Sequence, residues 1–149
     1  DLCMLPEPKV TATLMANPDL RLAVDVTKAW SLAAVKNGDE GSVLTMGAVV
    51  VRTAFAEEHP DAIANFLAEY KTSIEFVNTQ VAAGSLLVEK HGIMPKAAVA
   101  AKAIPNCNLV FIGGEDMQPA ITNMLEVLFA SNPQSIGGAL PDEGFYHIG

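Results

Sequence analysis

The chain is short of the residues on which several protein classes depend. Its two cysteines, Cys3 and Cys107, are too few for a disulfide framework, so we expect buried small apolar side chains rather than a bridged pair. The chain has 9 basic and 17 acidic residues, and its net charge of −8 leaves no broad basic surface for the phosphate backbone of a nucleic acid. No apolar run reaches the roughly 18 residues of a membrane helix. The sequence therefore predicts no nucleic-acid partner and no spanning helix within these 149 residues.

Catalytic signatures are missing as well. The three histidines, His59, His91 and His147, form no His-x-x-x-His pair and are not near a Cys-x-x-Cys, so no zinc site is predicted. The chain has neither a phosphate-binding Gly-x-x-x-x-Gly-Lys loop nor a Gly-x-Ser-x-Gly nucleophile motif. Neighbouring carboxylates such as Glu115 and Asp116 are better explained by their position at a predicted helix N-terminus than by acid/base chemistry. The sequence predicts no catalytic residue, no metal, no cofactor and no enzyme.

Half of the residues are hydrophobic, so the chain is expected to fold, and its first third is expected to hold strands and a helix, in which Val10, Leu14 and Met15 recur at helical spacing up to Asn17-Pro18. Residues 2–5 form a short apolar run, and residues 20–26 alternate apolar and polar side chains with a period of two. Residues 43–52 form a longer apolar, β-branched run, which is typical of a buried strand. A further short or irregular strand is expected within 106–112, and Thr27 is the expected cap of a short helix that carries Trp30.

The remainder has the pattern of helices. Apolar side chains recur at helical spacing from Pro60 to Val77, and a second helix over 81–90 is expected to end at His91-Gly92. Further helices are predicted over 95–103, and from Glu115 to the break at Asn132-Pro133. Strands followed by helices predict an α/β fold that is rich in helix after residue 52. The polar loop over 36–42 is a candidate boundary between lobes.

Two places in the sequence are candidates for ligand binding. Glu7 and Pro8 follow the first predicted strand in a loop that prolines hold extended, although this Pro-Glu-Pro segment is equally well explained as a turn into the next helix. Met46-Gly47 allows close backbone approach by a ligand or, more commonly, by another strand.

The order of these features resembles the C-terminal half of a type II periplasmic solute-binding protein of an ABC importer. The group that it resembles includes the nitrate, sulfonate and taurine, and thiamine-precursor binders. The resemblance lies in residues 1–8, in the run Met-Gly-Ala-Val-Val-Val-Arg-Thr-Ala-Phe over 46–55, and in His-Pro-Asp-Ala-Ile-Ala-Asn-Phe-Leu-Ala-Glu-Tyr over 59–70. The resemblance covers most of the chain. It rests on the order of these landmarks along the sequence, since no one motif is diagnostic.

The resemblance implies a two-lobed clamp that closes on a small solute and delivers it to an ABC permease. Residues 1–42 would end the second lobe, residues 43–52 would cross the hinge, and residues 53–149 would return to the first lobe. The implied ligand-binding residues are Glu7, Pro8, Met46, Gly47 and Trp30. The implied location is extracytoplasmic, in the periplasm or, as a lipoprotein, at the cell surface.

Two other function classes stay open, an enzyme on the same fold, similar to the pyrimidine synthases, and a ligand-sensing domain of a regulator. Because Glu7 repels anions and the chain has only two arginines, Arg21 and Arg52, we expect a solute that bears an amine, a hydroxyl or a metal rather than nitrate or sulfonate. Because the chain begins in what is interpreted as a buried strand, we expect it to be a piece of a longer protein. Either a missing N-terminal half or a domain-swapped dimer would then cover its strand edges and apolar helix faces.

Overall fold

A computed structural model of the chain describes residues 1–39 and 42–148. Residues 40, 41 and 149 lie outside the described residues. Residues 40 and 41 belong to the loop that the sequence predicts as a lobe boundary. Helices make up 62% of the structure, and the described part of the chain contains no strand. The predicted α/β class, and with it the C-terminal portion of a two-lobed binding-protein fold, is therefore wrong. The predicted division of the chain at residues 42 and 52 stays a prediction.

The helices follow one another with short connections. Four 3₁₀ turns lie among the later helices, at Ile104–Asn106, Gly114–Asp116, Pro133–Ile136 and Glu143–Phe145. In chain order the α-helices are α1 (Lys9–Ala16), α2 (Val26–Lys36), α3 (Thr53–Glu58), α4 (Pro60–Thr79), α5 (Val81–Lys90), α6 (Ala97–Ala103) and α7 (Met117–Ser131).

The chain divides into two units. The first consists of Asp1–Leu22 and His59–Phe111, and in it α5 packs against both α4 and α6 while α1 packs against α6. Its buried apolar residues are Ile63, Ala100, Ala103 and Ile104. Alanine is the smallest of the apolar side chains that fill protein interiors, so this core joins helices at short range but removes little apolar area from water.

The predicted start of α4 is confirmed. Pro60 occupies its first turn, where the missing N–H costs no hydrogen bond, and Asp61 lies where the helix dipole favours negative charge. The helix α5 begins directly after Gln80, and an added Cβ at its Gly84 would lie 3.5 Å from the Val77 Cα of α4. That distance is an ordinary van der Waals contact, so Gly84 packs beside α4 without a forced close approach.

The second unit consists of Ala23–Glu58 and Ile112–Gly149 and contains α2, α3 and α7. The cap of α2 is Asp25, whose Oδ1 accepts a hydrogen bond from the Lys28 backbone N–H at 3.2 Å, so the prediction of Thr27 as the cap is wrong. This backbone hydrogen bond lowers the pKa of the Asp25 carboxyl. The tail is held by a hydrogen bond of 3.0 Å between the Thr122 and Tyr146 hydroxyls.

The predicted strands are the main error of the sequence analysis. Of the predicted strands over 2–5, 20–26, 43–52 and 106–112, Val26 begins α2 and Asn106 ends a 3₁₀ turn. The rest lies outside helices, but no ladder joins any of it to another described segment. An alternating or continuous apolar pattern does not produce a helix with one polar face, which is why these segments lie outside helices. A strand also needs a second strand beside it, and the pattern of one segment does not supply that partner. The burial expected for Cys3 is wrong too, because that residue is exposed, while Cys107 is partly buried, and both are free cysteines.

The small core of the first unit predicts a strong asymmetry between two alanines of α6. Ala100 is completely buried, whereas Ala98 is exposed on the same helix. We expect Ala100→Leu to lower the free energy of unfolding by about 1–3 kcal/mol, since the larger side chain has no room, and Ala98→Leu to change it by less than about 0.5 kcal/mol. Urea unfolding followed by circular dichroism measures both. Equal effects of the two variants would contradict the packing of α6 described above.

Candidate functional site

The Pro-Glu-Pro segment holds Glu7 in a fixed orientation at the start of α1. The Glu7 Oε2 atom accepts a hydrogen bond from the Thr11 backbone N–H, and Oε1 accepts one from the Thr11 hydroxyl, each at 3.1 Å. Pro8 stands at the N-cap position, and the Lys9 backbone N–H donates to the Pro6 carbonyl at 2.9 Å. The carboxylate therefore takes over the N-terminal capping that proline cannot provide.

Glu7 also acts electrostatically on Cys107, which is far away in the sequence. Because α1 packs against α6 and Cys107 follows the 3₁₀ turn after α6, both residues belong to the same part of the first unit. Desolvation raises the pKa of the Cys107 thiol, and the negative charge of Glu7 raises it further. Both causes disfavour the thiolate, whereas an activated nucleophile needs a lowered pKa.

Trp30, Met46 and Gly47 belong to the second unit. The Trp30 indole Nε1 donates a hydrogen bond of 3.1 Å to the Ser42 hydroxyl, directly before the segment that carries the other two residues. The Met46 side chain is 72% exposed, and an added Cβ at Gly47 would meet no atom within 4 Å. The three residues are thus close in the sequence and in one unit.

The structure places Glu7 and Pro8 in the first unit and the other three predicted ligand-binding residues in the second. That all five line one site stays a prediction. Sequence reasoning missed the partners of Glu7, namely Thr11 and Cys107. Thr11 follows Glu7 by one helical turn, so a local capping pattern was available as a signal, whereas no sequence signal connects Glu7 with Cys107.

A shallow depression of about 430 Å³ lies on α4 and includes none of these residues. Ala68, Glu69, Thr72 and Ser73 line it, and all four belong to the one helix. Ligand sites normally enclose most of the surface of their ligand, which one helix face does not do. This depression is not a candidate site.

The described residues contain neither a metal cluster nor a helix that could span a membrane. No group of three or more His, Cys, Asp or Glu side chains in the described chain is placed to hold a metal ion. Among the described helices, none has the length and apolar character needed to cross a membrane. The chain matches no protein-family model, no curated protein and no solved structure.

The setting of Cys107 predicts slow and strongly pH-dependent alkylation. In a Cys3→Ser background, which leaves one thiol, the raised pKa keeps more of Cys107 protonated at any pH, so the midpoint of its alkylation profile should lie above that of an ordinary cysteine. Glu7→Gln removes the charge and should lower the midpoint without restoring it fully, because desolvation is the larger cause. Rates of iodoacetamide labelling across pH measure this.

The matched control is Thr11→Val, which removes one of the hydrogen bonds to Glu7 but keeps the negative charge. The pH midpoint of Cys107 alkylation in this variant should equal that of the Cys3→Ser protein. A profile for Glu7→Gln that coincides with that of Thr11→Val would show that the charge of Glu7 does not reach the thiol.

Proposed function

We propose that the chain is part of a solute receptor, which captures a small molecule outside the cytoplasm and passes it unchanged to an ABC permease. The order of landmarks in the sequence supports this function. The structural observation that carries it is the orientation of Glu7, which two hydrogen bonds from Thr11 hold. Binding groups that are ordered in advance lose little conformational entropy when a ligand arrives, which is what a receptor requires.

The fixed carboxylate still has capacity to bind. An ionised carboxylate offers about four lone-pair positions, and the Thr11 N–H and hydroxyl use two of them. Glu7 is only partly buried, so the remaining positions are open to a donor from outside the chain. The negative charge favours an amine or a hydroxyl and disfavours nitrate or sulfonate. The proposed solute is therefore a small cation or a polyhydroxylated molecule.

The chemistry around Cys107 agrees with binding rather than catalysis. Both causes of its raised pKa, desolvation and the charge of Glu7, disfavour the thiolate. An enzyme that used this cysteine as a nucleophile would need the reverse, a nearby cation or a base that lowers the pKa. A receptor needs neither of these groups.

Thermal stabilisation by a panel of solutes tests the function. A solute that binds the folded chain raises its free energy of unfolding by about 2.7 kcal/mol at one hundred times its dissociation constant. We expect stabilisation by one class of amine-bearing or hydroxyl-bearing solute, with the solute recovered chemically unchanged. Conversion of the solute, or no stabilisation by any member of a broad panel, would contradict the proposal.

Two substitutions then examine the predicted site. Glu7→Gln keeps the side-chain shape but removes the charge, so binding of the stabilising solute should weaken by about tenfold or more. The matched control, Glu126→Gln, alters an exposed carboxylate on α7 and should leave the affinity unchanged. Because nothing surrounds Gly47, Gly47→Ala should not disturb the fold, so a lower affinity in this variant would report contact with the ligand. Equal affinities of Glu7→Gln and Glu126→Gln would exclude Glu7 from the site.

A further inference from the structure

The negative charge of the chain lies almost entirely in the second unit. Its ranges, Ala23–Glu58 and Ile112–Gly149, hold 10 acidic and 3 basic residues, which is a net charge of −7. The first unit holds 7 acidic and 6 basic residues, which is a net charge of −1. One basic residue of the second unit, Lys28, is already in an ion pair of 3.4 Å with Asp25. The second unit therefore attracts cationic partners, whereas the first unit is nearly neutral.

The second unit also carries an uncharged, exposed segment over residues 43–51, which we name the docking segment. Its sequence, Val-Leu-Thr-Met-Gly-Ala-Val-Val-Val, has no ionisable side chain. Five of its large apolar side chains are exposed, and Val50 is the most exposed at 82%. The five are Val43, Met46, Val49, Val50 and Val51. Contiguous exposed apolar side chains mark interaction surfaces in soluble proteins.

The backbone of the docking segment has no hydrogen-bond partner within the described chain. The segment belongs to no helix and runs without a turn or a bend. None of its N–H or C=O groups is in a backbone hydrogen bond. Near its start the Thr45 hydroxyl contacts the Met124 sulfur of α7 at 2.8 Å, which ties the segment to the second unit. Free backbone groups beside β-branched side chains can accept a strand from another chain.

We propose that the docking segment binds a basic partner protein, by pairing strand to strand with a segment in which lysine or arginine alternates with apolar side chains. Charge complementarity selects this partner. A net charge of −7 on the second unit attracts a cationic segment and repels both a second copy of the chain and an anionic membrane surface. The partner's apolar side chains would cover the exposed valines, and its backbone would satisfy the free N–H and C=O groups.

The surroundings of the docking segment in the sequence have the same sign of charge as the unit. The flanks over 36–42 and 52–58 hold four acidic and two basic residues. Asp39 and Glu57 are exposed, one on each side, although Arg52 borders the segment directly. A paired strand of nine residues spans about 30 Å, so basic side chains at the ends of a bound segment reach toward these flanks. The uncharged segment then supplies affinity and the acidic flanks supply selectivity for a basic partner.

Two synthetic peptides test the chemistry of the partner by calorimetric titration of the full chain. One alternates valine and lysine over nine residues, and its matched control has glutamate in place of lysine. We expect the lysine peptide to bind at least about tenfold more tightly than the glutamate peptide. Raising the ionic strength from 0.1 to 1 M shortens the screening length from about 10 to about 3 Å and should weaken binding of the lysine peptide. No binding of the lysine peptide, or equal affinities for the two peptides, would overturn the proposal.

Two proline variants test whether the peptide pairs with the backbone. Val49→Pro and Val50→Pro each remove an N–H that has no acceptor in the described chain, so neither costs the free protein a hydrogen bond. Neighbouring N–H groups of a strand point to opposite edges, so only one of the two faces the peptide. We expect one variant to weaken binding by at least about tenfold and the other much less. Equal affinities of the two variants would contradict strand pairing.

A charge variant locates the peptide on the docking segment. Val50→Lys places a positive charge among the apolar side chains and should weaken binding of the lysine peptide by at least about tenfold. Val127→Lys is the matched control, because it adds the same charge at an exposed valine of α7 in the same unit, and it should leave the affinity nearly unchanged. Equal weakening by both variants would place the peptide elsewhere and overturn the proposal.

The docking proposal does not rest on the solute-receptor function. Glu7 belongs to the first unit, so Glu7→Gln should weaken solute binding and leave the affinity for the lysine peptide unchanged. Val50→Lys should have the reverse effect. The two proposals therefore fail separately.

Discussion

The structure depends on a mismatch between its apolar content and its capacity to bury apolar side chains. Half of the sequence is hydrophobic, yet two of the four buried apolar residues of the first unit are alanines, Ala100 and Ala103. Each alanine buries only a small area, so its contribution from the hydrophobic effect is correspondingly small. Many of the larger apolar side chains are exposed, both on the non-helical segments and on the helices.

Glu7 illustrates how one side chain links local structure to the chemistry of a site. Its carboxylate caps α1 through Thr11, and this cap fixes the position of its negative charge. The fixed charge then acts in two directions. Toward the chain it contributes to the raised pKa of Cys107 and suppresses a reactive thiol. Toward the outside it presents acceptor positions for a donor, which is why the proposed ligand carries an amine or a hydroxyl. The same hydrogen bonds also support the simpler interpretation of the segment as a turn into a helix, and the two roles are compatible.

The helices were predictable from the sequence because their signals are local. Pro60 and Asp61 identify the start of α4, and the predicted helix over 81–90 coincides with Val81–Lys90. Residues 2–5, 20–26 and 43–52 were predicted wrongly as strands, since a period-two or continuous apolar pattern does not show which segment lies beside it. For the candidate site, local reasoning found the Pro-Glu-Pro segment. The influence of Glu7 on Cys107 requires that α1 pack against α6, and no local pattern encodes that contact.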